Sequence, residues 1–343
     1  MQKVVIQEFL NLAERFPVVD VRSPGEFEKG HIPGACNIPL FDDVERAKIG
    51  TVYKKVNQDK ALMEGLDIAG RKMKDYVTKA RKIAYDDRLL IYCWRGGRRS
   101  ESLAWLFDFS GMETIVLSGG YKSYRRYIRR QFSEKAKMVI LGGMTGTGKS
   151  EILKELKDAG EQVIDLEGLA RHKGSAFGGF GEKEQPTNEQ FENNLYTQWR
   201  HLNLNEPVWV EDESHSVGKI FIPDPLFLQM REAPVIVINF DQKYRLERLV
   251  KEYAGYDKED LKHTVLKIKK RLGPVDSNLA IQAIEKENYH DAAALILHYY
   301  DKAYRFGQSK RNAETLYPLF LEVDDPKKNA GIIMDFARKK NII

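Results

Sequence analysis

Short apolar runs alternate along the chain with stretches in which apolar residues recur at helical spacing. In the first third, the runs at 18–21, 89–92 and 114–117 predict buried strands, and the second is followed by helical spacing at 100–107. Further on, runs at 137–141, 162–166, 207–210 and 235–240 predict more strands, with a helix from residue 151. Strands that alternate with helices are typical of α/β units with parallel sheets.

Two parts of the chain break this alternation and are predicted to be helical. One is the charged stretch at 41–84, which predicts a helical insertion. The other begins at Asp260, where only one further strand, at 316–323, is expected. The helices predicted there are Leu261–Leu272, Ser277–Glu287, Tyr289–Tyr300 and Asn329–Lys340. We therefore predict an α/β domain at 1–122, a basic linker helix at 123–136, and a second α/β domain with a helical C-terminal region at 137–343.

The segment from Gly143 to Ser150 fits the pattern G-x-x-x-x-G-K-[ST] between a predicted strand and a predicted helix. Such a loop wraps backbone N–H groups around an anion, and the helix N-terminus adds partial positive charge. Lys149 supplies a point charge, and the Ser150 hydroxyl is a candidate ligand for Mg²⁺. The predicted phosphate-binding residues are Gly143, Thr145, Gly146, Thr147, Gly148, Lys149 and Ser150.

Two further features accompany this loop. Glu211 and Asp212 end the strand that begins at Pro207, as the acids of a Walker B strand do, so we expect them near Mg²⁺. A polar, glycine-rich stretch at 167–185 predicts a substrate-facing loop. Its candidate side chains are Arg171, His172 and Ser175.

Cys93 carries the chemistry predicted for the first domain. It ends an apolar strand and precedes a loop rich in glycine and arginine that opens a helix. Donor N–H groups, the helix dipole and arginines favour a thiolate and an anionic donor substrate. The predicted anion-binding residues are Arg95, Gly96, Gly97, Arg98 and Arg99. Cys36 and His31 are expected to be structural, Cys36 through packing and His31 through a hydrogen bond to a turn.

A basic stripe follows at 121–137. Arg125, Arg126, Arg129 and Arg130 recur at helical spacing, which is typical both of a solvated helix face and of a face that contacts RNA phosphates. Tyr121, Tyr124 and Tyr127 interleave with them and favour RNA slightly, because aromatic rings stack on unpaired bases.

Composition excludes several classes of protein. The chain has 343 residues, 42% of them hydrophobic, a formal charge of +5 and two cysteines. Two cysteines exclude a disulfide framework and a cysteine-rich zinc site. No apolar run reaches membrane-spanning length, and no signal-peptide pattern opens the sequence. A cytoplasmic protein in a reducing compartment is the expectation.

The stretches Asp20–Phe27, Gly30–Ala35 and Cys93–Ser100 resemble a rhodanese domain, in which the loop cysteine carries a persulfide during sulfur transfer. The segment at 41–84 is longer and more charged than a minimal rhodanese requires. We expect it to form a helical insertion that borders the active site.

A rhodanese-like domain followed by a P-loop domain closely resembles the tRNA 2-selenouridine synthase family. The resemblance rests jointly on the Cys93 loop, the Gly143–Ser150 loop, the 166–175 segment and the 209–213 segment. It implies a two-step reaction at the wobble 2-thiouridine of tRNA. Geranyl diphosphate first alkylates the sulfur, and selenophosphate then delivers selenium to C2 while the geranylthio group leaves.

The resemblance also assigns roles to residues and partners. Cys93 belongs to the selenium step, and the P-loop neutralises the departing pyrophosphate. Phe177, Phe180 and Trp209 are candidates for an apolar geranyl groove, and the arginines from Arg125 to Arg130 for tRNA binding. No tightly bound cofactor is expected apart from Mg²⁺, and selenophosphate synthetase is an expected partner.

Two other functions use the same motifs. One is a sulfurtransferase fused to an ATP-dependent small-molecule kinase, without RNA. The other is a non-enzymatic RNA- or nucleotide-binding regulator, which the intact Cys93, Lys149 and Glu211-Asp212 argue against.

Overall fold

The computed structural model describes every residue from Met1 to Ile343. The chain divides into two compact units. The first contains Met1–Gln131 together with Glu192–Asn194, and the second contains Phe132–Phe191 and Leu195–Ile343. None of the helices is both long enough and apolar enough to cross a membrane.

The first unit is an α/β fold with a five-stranded sheet. Its strands and helices are β1 (Gln2–Val4), α1 (Ile6–Leu12), β2 (Val18–Asp20), α2 (Pro24–Lys29), β3 (Cys36–Asn37), α3 (Asp43–Lys55), α4 (Gln58–Ile83), β4 (Arg88–Tyr92), α5 (Arg98–Phe109), β5 (Glu113–Leu117) and α6 (Gly120–Gln131).

All neighbouring strands of this sheet are parallel, in the order β1-β5-β4-β2-β3. The central strand β4 is buried almost throughout, because parallel strands are covered on both faces. Leu89 and Ile91 of β4 pack with Leu103 and Phe107 of α5. Parallel strands end at the same edge, so the loops after β4 and β5 meet there.

The second unit also has a five-stranded parallel sheet. Its strands and helices are β6 (Lys137–Gly143), α7 (Lys149–Asp158), β7 (Gln162–Ile164), α8 (Leu166–Ala170), α9 (Asn188–Trp199), β8 (Pro207–Glu211), β9 (Ser216–Val217), β10 (Ile220–Phe221), α10 (Asp224–Glu232), β11 (Val235–Asn239), α11 (Gln242–Tyr253), α12 (Lys258–Leu272), α13 (Pro274–Glu285), α14 (Tyr289–Gln308), β12 (Leu316–Phe320) and α15 (Pro326–Lys339).

The strand order of this sheet is β12-β11-β6-β8-β7, which places β6 at its centre. Leu141 of β6 is in register with Glu211 of β8. The loop after β6 and the acids after β8 therefore lie at one sheet edge. A separate apolar cluster joins α12, α13 and α14, with Val265, Ala280 and Ala292 among its buried members.

The α/β class and the helical C-terminal region predicted from sequence are confirmed. The helical insertion is present as α3 and α4, within the predicted 41–84. The basic linker helix begins earlier than predicted, at Gly120, and ends at Gln131. The polar stretch at 167–185 is only partly a loop, since α8 occupies its first residues. The sequence pattern gave no sign of α9, α10 or the β9–β10 hairpin, which carry no long apolar run.

Candidate functional site

Cys93 lies directly after β4 and just before the N-terminus of α5, at the edge where parallel strands end. Its side chain is only 3% exposed. The hydroxyl of Ser100, in the first turn of α5, donates a hydrogen bond to Cys93 Sγ at 3.2 Å. Because a helix N-terminus also favours negative charge, this position suits a sulfur that acts as a nucleophile.

The loop after β5 packs tightly against the Cys93 loop. The Tyr121 N–H donates to the Cys93 carbonyl at 2.8 Å. Gly96 and Gly120 have φ values of 64° and 58°. A Cβ on Gly120 would lie 2.3 Å from the Cys93 carbonyl oxygen, and one on Gly96 would lie 2.4 Å from that of Leu117. Glycine is therefore required at both positions, and the turn holding Cys93 is sterically fixed.

The three arginines of the Cys93 loop have different environments. Arg99 pairs with Glu26 at 2.7 Å. Burial opposes ionisation of Glu26, but the hydrogen bond from Arg99 holds the pKa of this carboxyl below its ordinary value. Arg95 and Arg98 are exposed and have no ion-pair partner. Two of the three predicted arginines thus remain available to an anion.

Helix α6 brings further positive charge to this loop. Arg126 and Lys122 of α6 join Arg95, with Gly119 and Ser123, around a recess of about 410 Å³. Arg129 and Arg130 are exposed farther along the helix. The basic face predicted from sequence is therefore partly continuous with the Cys93 loop.

Arg125 differs from the other arginines of α6. Its side chain is 14% exposed and forms an ion pair with Glu192. It also donates to Asn193 Oδ1 at 2.6 Å. These partners occupy the guanidinium, so Arg125 is held within the fold, in contrast to its neighbours.

The tyrosines of α6 are mostly core residues. Tyr121 and Tyr124 are 0% and 1% exposed. The Arg22 guanidinium lies 3.9 Å from the Tyr121 ring centroid. The prediction that these two rings stack on RNA bases is wrong. Positions i and i+3 share one helix face, and here that face is buried.

Cys36 and His31 give opposite results for their predicted structural roles. His31 Nδ1 lies 2.9 Å from the Phe27 carbonyl oxygen, and the two rings stack with centroids 3.8 Å apart. Cys36 is exposed. Its predicted packing role is wrong, because the two-residue strand β3 lies at the edge of the sheet and leaves this side chain uncovered.

The Gly143–Ser150 loop connects β6 to α7. Gly146 and Gly148 have φ values of 81° and 73°, and Gly148 is the N-cap of α7. Lys149 Nζ donates to the Gly143 carbonyl at 3.0 Å, which closes the loop on itself. The loop therefore wraps around the helix N-terminus, as an anion site requires.

Basic residues of α11 support the loop from outside. Arg245 donates to the Thr145 carbonyl at 2.9 Å and pairs with Asp301. Arg248 pairs with Glu151 at 3.0 Å and with Asp324. Both arginines are thus engaged in ion pairs, and Arg248 also lines the cleft in front of the loop.

Carboxylates surround Lys149. Burial works to lower the pKa of Lys149, but neighbouring Tyr304, Glu167 and Glu213 raise it above its ordinary value. Glu211 is 2% exposed, and burial together with the charges of Asp165 and Glu167 raises its pKa to about 8. Burial, and then the Glu167 charge, raises the pKa of Glu213 well above its ordinary value. The site carries more buried carboxyl groups than one lysine can neutralise.

The three consecutive acids at the end of β8 have different partners. Glu211, the last residue of β8, accepts a hydrogen bond from the Glu167 N–H. Asp212 forms an ion pair with Arg311, and the charges of Glu213 and Asp212 both contribute to raising the pKa of Lys149. Glu213 is a site residue that the sequence analysis missed, although it belongs to the same run of acids.

Glu167 was also missed. Ser150 Oγ donates to Glu167 Oε2 at 2.8 Å, and the Glu167 N–H donates to Glu211 Oε1 at 3.1 Å. Glu211 Oε2 is buried without a hydrogen-bond partner. No group of three or more His, Cys, Asp or Glu residues has the arrangement of a metal site by itself. The oxygens of Ser150, Glu167 and Glu211 nevertheless match the ligand type that Mg²⁺ prefers.

The three site residues predicted in the 167–185 stretch lie in different environments. Ser175 lines the cleft at the P-loop. Arg171 donates to the Glu184 carbonyl at 3.1 Å. His172 is partly buried, which lowers its pKa, and its Nδ1 has no hydrogen-bond partner. Only Ser175 of the three therefore lies at the cleft.

Two cavities adjoin the P-loop. The larger is an open cleft of about 870 Å³, lined by the P-loop, Lys173, Arg248 and Tyr304. The smaller is a narrow apolar cavity of about 60 Å³ among α11, α13 and α14. Thr145 and Ser175 line both, so the apolar cavity opens at the phosphate loop.

The aromatic residues predicted for an apolar groove differ in position. Phe177 lines the narrow cavity, and Phe180 packs beside it with ring centroids 6.1 Å apart. Trp209 is 0% exposed within the core under the sheet. Trp209 is therefore a packing residue of β8 and not part of any groove.

Comparison with known families agrees with this division into two sites. Residues 5–127 match the rhodanese-like domain, and residues 136–318 match the tRNA 2-selenouridine synthase AAA domain. Fold and sites thus define a rhodanese-like unit followed by a P-loop unit. The chain belongs to the tRNA 2-selenouridine synthase family.

Three relatives illustrate the similarity, each named tRNA 2-selenouridine synthase. The one from Nitrosomonas europaea is 37% identical over 246 residues, 69% of this chain and 63% of the relative. The one from Psychromonas ingrahamii is 32% identical over 330 residues, 86% of this chain and 88% of the relative. The one from Shewanella sediminis is 34% identical over 337 residues, 88% of this chain and 90% of the relative.

Proposed function

We propose that this protein converts the wobble 2-thiouridine of tRNA to 2-selenouridine in two steps. In the first, the thiocarbonyl sulfur attacks C1 of geranyl diphosphate and pyrophosphate leaves. In the second, selenium from selenophosphate replaces the geranylthio group at C2. The observation that carries the proposal is that one chain of this family holds both a phosphate loop and a cysteine loop with unpaired cations.

The P-loop is proposed to bind the diphosphate. Negative charge develops on pyrophosphate as the C–O bond breaks, and preorganised donors stabilise it most in a partly enclosed site. Lys149 and the loop N–H groups are such donors, and α7 adds its N-terminal partial charge. Lys149 remains protonated because Tyr304, and then the carboxylates of Glu167 and Glu213, raise its pKa against the opposing effect of burial.

A Mg²⁺ ion fits this proposal. Ser150, Glu167 and Glu211 would hold it, since they offer a hydroxyl and two carboxylates, one with an unpartnered buried oxygen. When bound, the ion would supply charge neutralisation for the leaving pyrophosphate.

The apolar cavity beside this loop favours a prenyl chain over a nucleotide, because a nucleotide base carries polar groups that this lining would leave without hydrogen bonds. Its lining is almost entirely apolar, including Leu249, Ile296 and Leu297. An extended hydrocarbon attached to a diphosphate matches this combination of a slender apolar end and a phosphate loop.

The Cys93 loop is proposed to serve the selenium step. Arg95, Lys122 and Arg126 provide charge for selenophosphate or for tRNA phosphates. Ser100 holds the sulfur in place through its hydrogen bond. Alkylation makes sulfur a better leaving group and C2 more electrophilic, which explains why the order of steps is geranylation before selenium transfer.

The decisive experiment incubates the protein with 2-thiouridine tRNA and geranyl diphosphate and analyses the nucleosides by mass. S-geranyl-2-thiouridine is the expected product. Its absence would overturn the proposal, and ATP hydrolysis or phosphorylation of a small molecule instead would support the sulfurtransferase–kinase alternative.

A further inference from the structure

A large groove lies between α3 and α4 in the first unit. Its volume is about 810 Å³, within the range of about 300–1,000 Å³ usual for small-molecule sites. Helix α3 has no buried residue along its 13 residues. Its inner side therefore faces an opening instead of a packed core.

Small residues on one side of α4 form the floor of this groove. Ala61, Gly65 and Ala69 are spaced by four and share a helix face. A Cβ on Gly65 would lie 3.3 Å from Phe41 Cζ and 3.9 Å from Ile49 Cδ1. The Phe41 ring therefore packs directly against the backbone of α4 at Gly65, and Phe41 and Ile49 contribute apolar surface to the lining of the groove.

Exposed apolar side chains form much of the walls of the groove, beside the charged side chains of Arg46, Lys54 and Lys55. Tyr53 of α3 is 51% exposed, and Leu62 and Leu66 of α4 are 44% and 57% exposed. Single exposed apolar side chains are common on protein surfaces, but these three line one concavity. Clustered apolar exposure in a concave surface marks a site for an apolar ligand.

One end of the groove is cationic and belongs to the Cys93 loop. Arg95 and Arg98 line it, and both are exposed without ion-pair partners. The groove thus combines a hydrocarbon-binding surface with the unpaired positive charges of Arg95 and Arg98 on the Cys93 loop. An apolar chain attached to an anionic molecule is the ligand that this combination suits.

We propose that the α3–α4 groove holds the geranyl group of S-geranyl-2-thiouridine tRNA during the selenium step. This inference rests on the proposed function. The carbon that accepts selenium also carries the geranylthio group, so the hydrocarbon must lie beside the Cys93 loop when C2 reacts there. The groove removes this chain from water, while Arg95 and Arg98 face the phosphates of the donor or the tRNA.

The bond changes of this step release the hydrocarbon from the tRNA as geranylthiol. The C2–Se bond forms, and the C2–S bond breaks with its electron pair on the geranyl thiolate. That thiolate takes the selenol proton and departs as geranylthiol. Water then cleaves the Se–P bond and releases phosphate.

The test supplies purified S-geranyl-2-thiouridine tRNA and selenophosphate, so that only the second step is measured. Leu62→Glu and Leu66→Glu place a charge in the groove at exposed positions. Met63→Glu is the matched control, because Met63 is 65% exposed on the same helix but does not line the groove. At limiting tRNA, each groove variant should lose about ten-fold or more in rate, and Met63→Glu should match wild type.

A second measurement replaces the geranyl group by methyl. Wild type should prefer the S-geranyl tRNA, and Leu66→Glu should lose most of that preference while geranylating 2-thiouridine tRNA normally. Unchanged selenium transfer in Leu66→Glu, or equal loss of geranylation, would overturn the groove assignment. A wild-type protein that cannot convert S-geranyl tRNA at all would instead reject the proposed function.

Discussion

At the scale of single residues, the P-loop site is defined by an excess of buried carboxyl groups. Glu211 and Glu213 are both nearly inaccessible to solvent. Burial is the largest cause of the raised pKa of each carboxyl group. Lys149 is the nearby cation whose charge opposes the raised pKa of Glu213. A further cation would stabilise the ionised form of these buried carboxyl groups, which is consistent with a Mg²⁺–diphosphate ligand.

The raised pKa of Glu211 predicts a pH-dependent stability. The folded protein binds this proton more tightly than the unfolded chain, with a pKa of about 8 against an ordinary 4.5. The associated stabilisation is complete below the ordinary value and is lost as pH rises through about 8. Glu211→Gln mimics the protonated form, so its melting temperature should fall less than that of wild type between about pH 5 and about pH 9.

Thermal unfolding followed by circular dichroism measures this difference. Glu206→Gln is the control, because Glu206 is exposed just before β8 and should not alter the pH dependence. If the melting temperatures of wild type and Glu211→Gln changed with pH by the same amount, Glu211 would not be held protonated.

At the scale of elements, α6 performs two tasks on two faces. Tyr121, Tyr124 and Ile128 anchor it to the core. Arg126, Arg129 and Arg130 project from the other face. This division follows from helical periodicity, and it leaves the exposed arginines as the proposed contact with tRNA phosphates.

The α6 arginines yield a prediction about salt dependence. We expect the triple change of Arg126, Arg129 and Arg130 to alanine to weaken tRNA binding. The slope of log affinity against log salt concentration should also become shallower. The decrease should be about 1 for each tRNA phosphate that an arginine no longer neutralises. Filter binding or fluorescence anisotropy at several salt concentrations measures the slope. The control changes Arg338, Lys339 and Lys340 of the C-terminal region to alanine, which removes the same amount of charge. Equal effects in the two triple variants would mean that only net charge matters.

At the scale of the whole molecule, two sheets of the same parallel type each present a loop at the ends of their strands. The first presents a cysteine after its central strand β4, and the second presents a phosphate loop after its central strand β6. The two loops offer different chemistry, a nucleophile and an anion cradle. A reaction that needs both an alkylation with a diphosphate leaving group and a transfer of selenium can use one loop for each step.

This division predicts that the two activities separate by mutation. Cys93→Ala should stop formation of selenouridine while sparing geranylation, because the P-loop remains intact. Lys149→Ala should slow geranylation by about 100-fold, the effect of losing one preorganised donor, and should still convert pre-geranylated tRNA. Nucleoside mass spectrometry of both reactions measures the split, and the loss of both activities in both variants would contradict it.

The sequence by itself determined the local chemistry. The Gly143–Ser150 loop, the Cys93 loop and the parallel α/β class follow from residue spacing within a few turns of chain, and the structure bears out the fold. The free energies that fix such loops are local, since they arise from glycine conformations and adjacent helix N-termini.

Only the tertiary structure decided which charges are free and which cavities exist. Arg99 and Asp212 are in ion pairs with distant Glu26 and Arg311, whereas Arg95 and Arg98 are unpaired. The α3–α4 groove depends on how two helices pack around Gly65. Burial, pairing and open volume are sums over neighbours far apart in the chain, so no pattern along the sequence reports them.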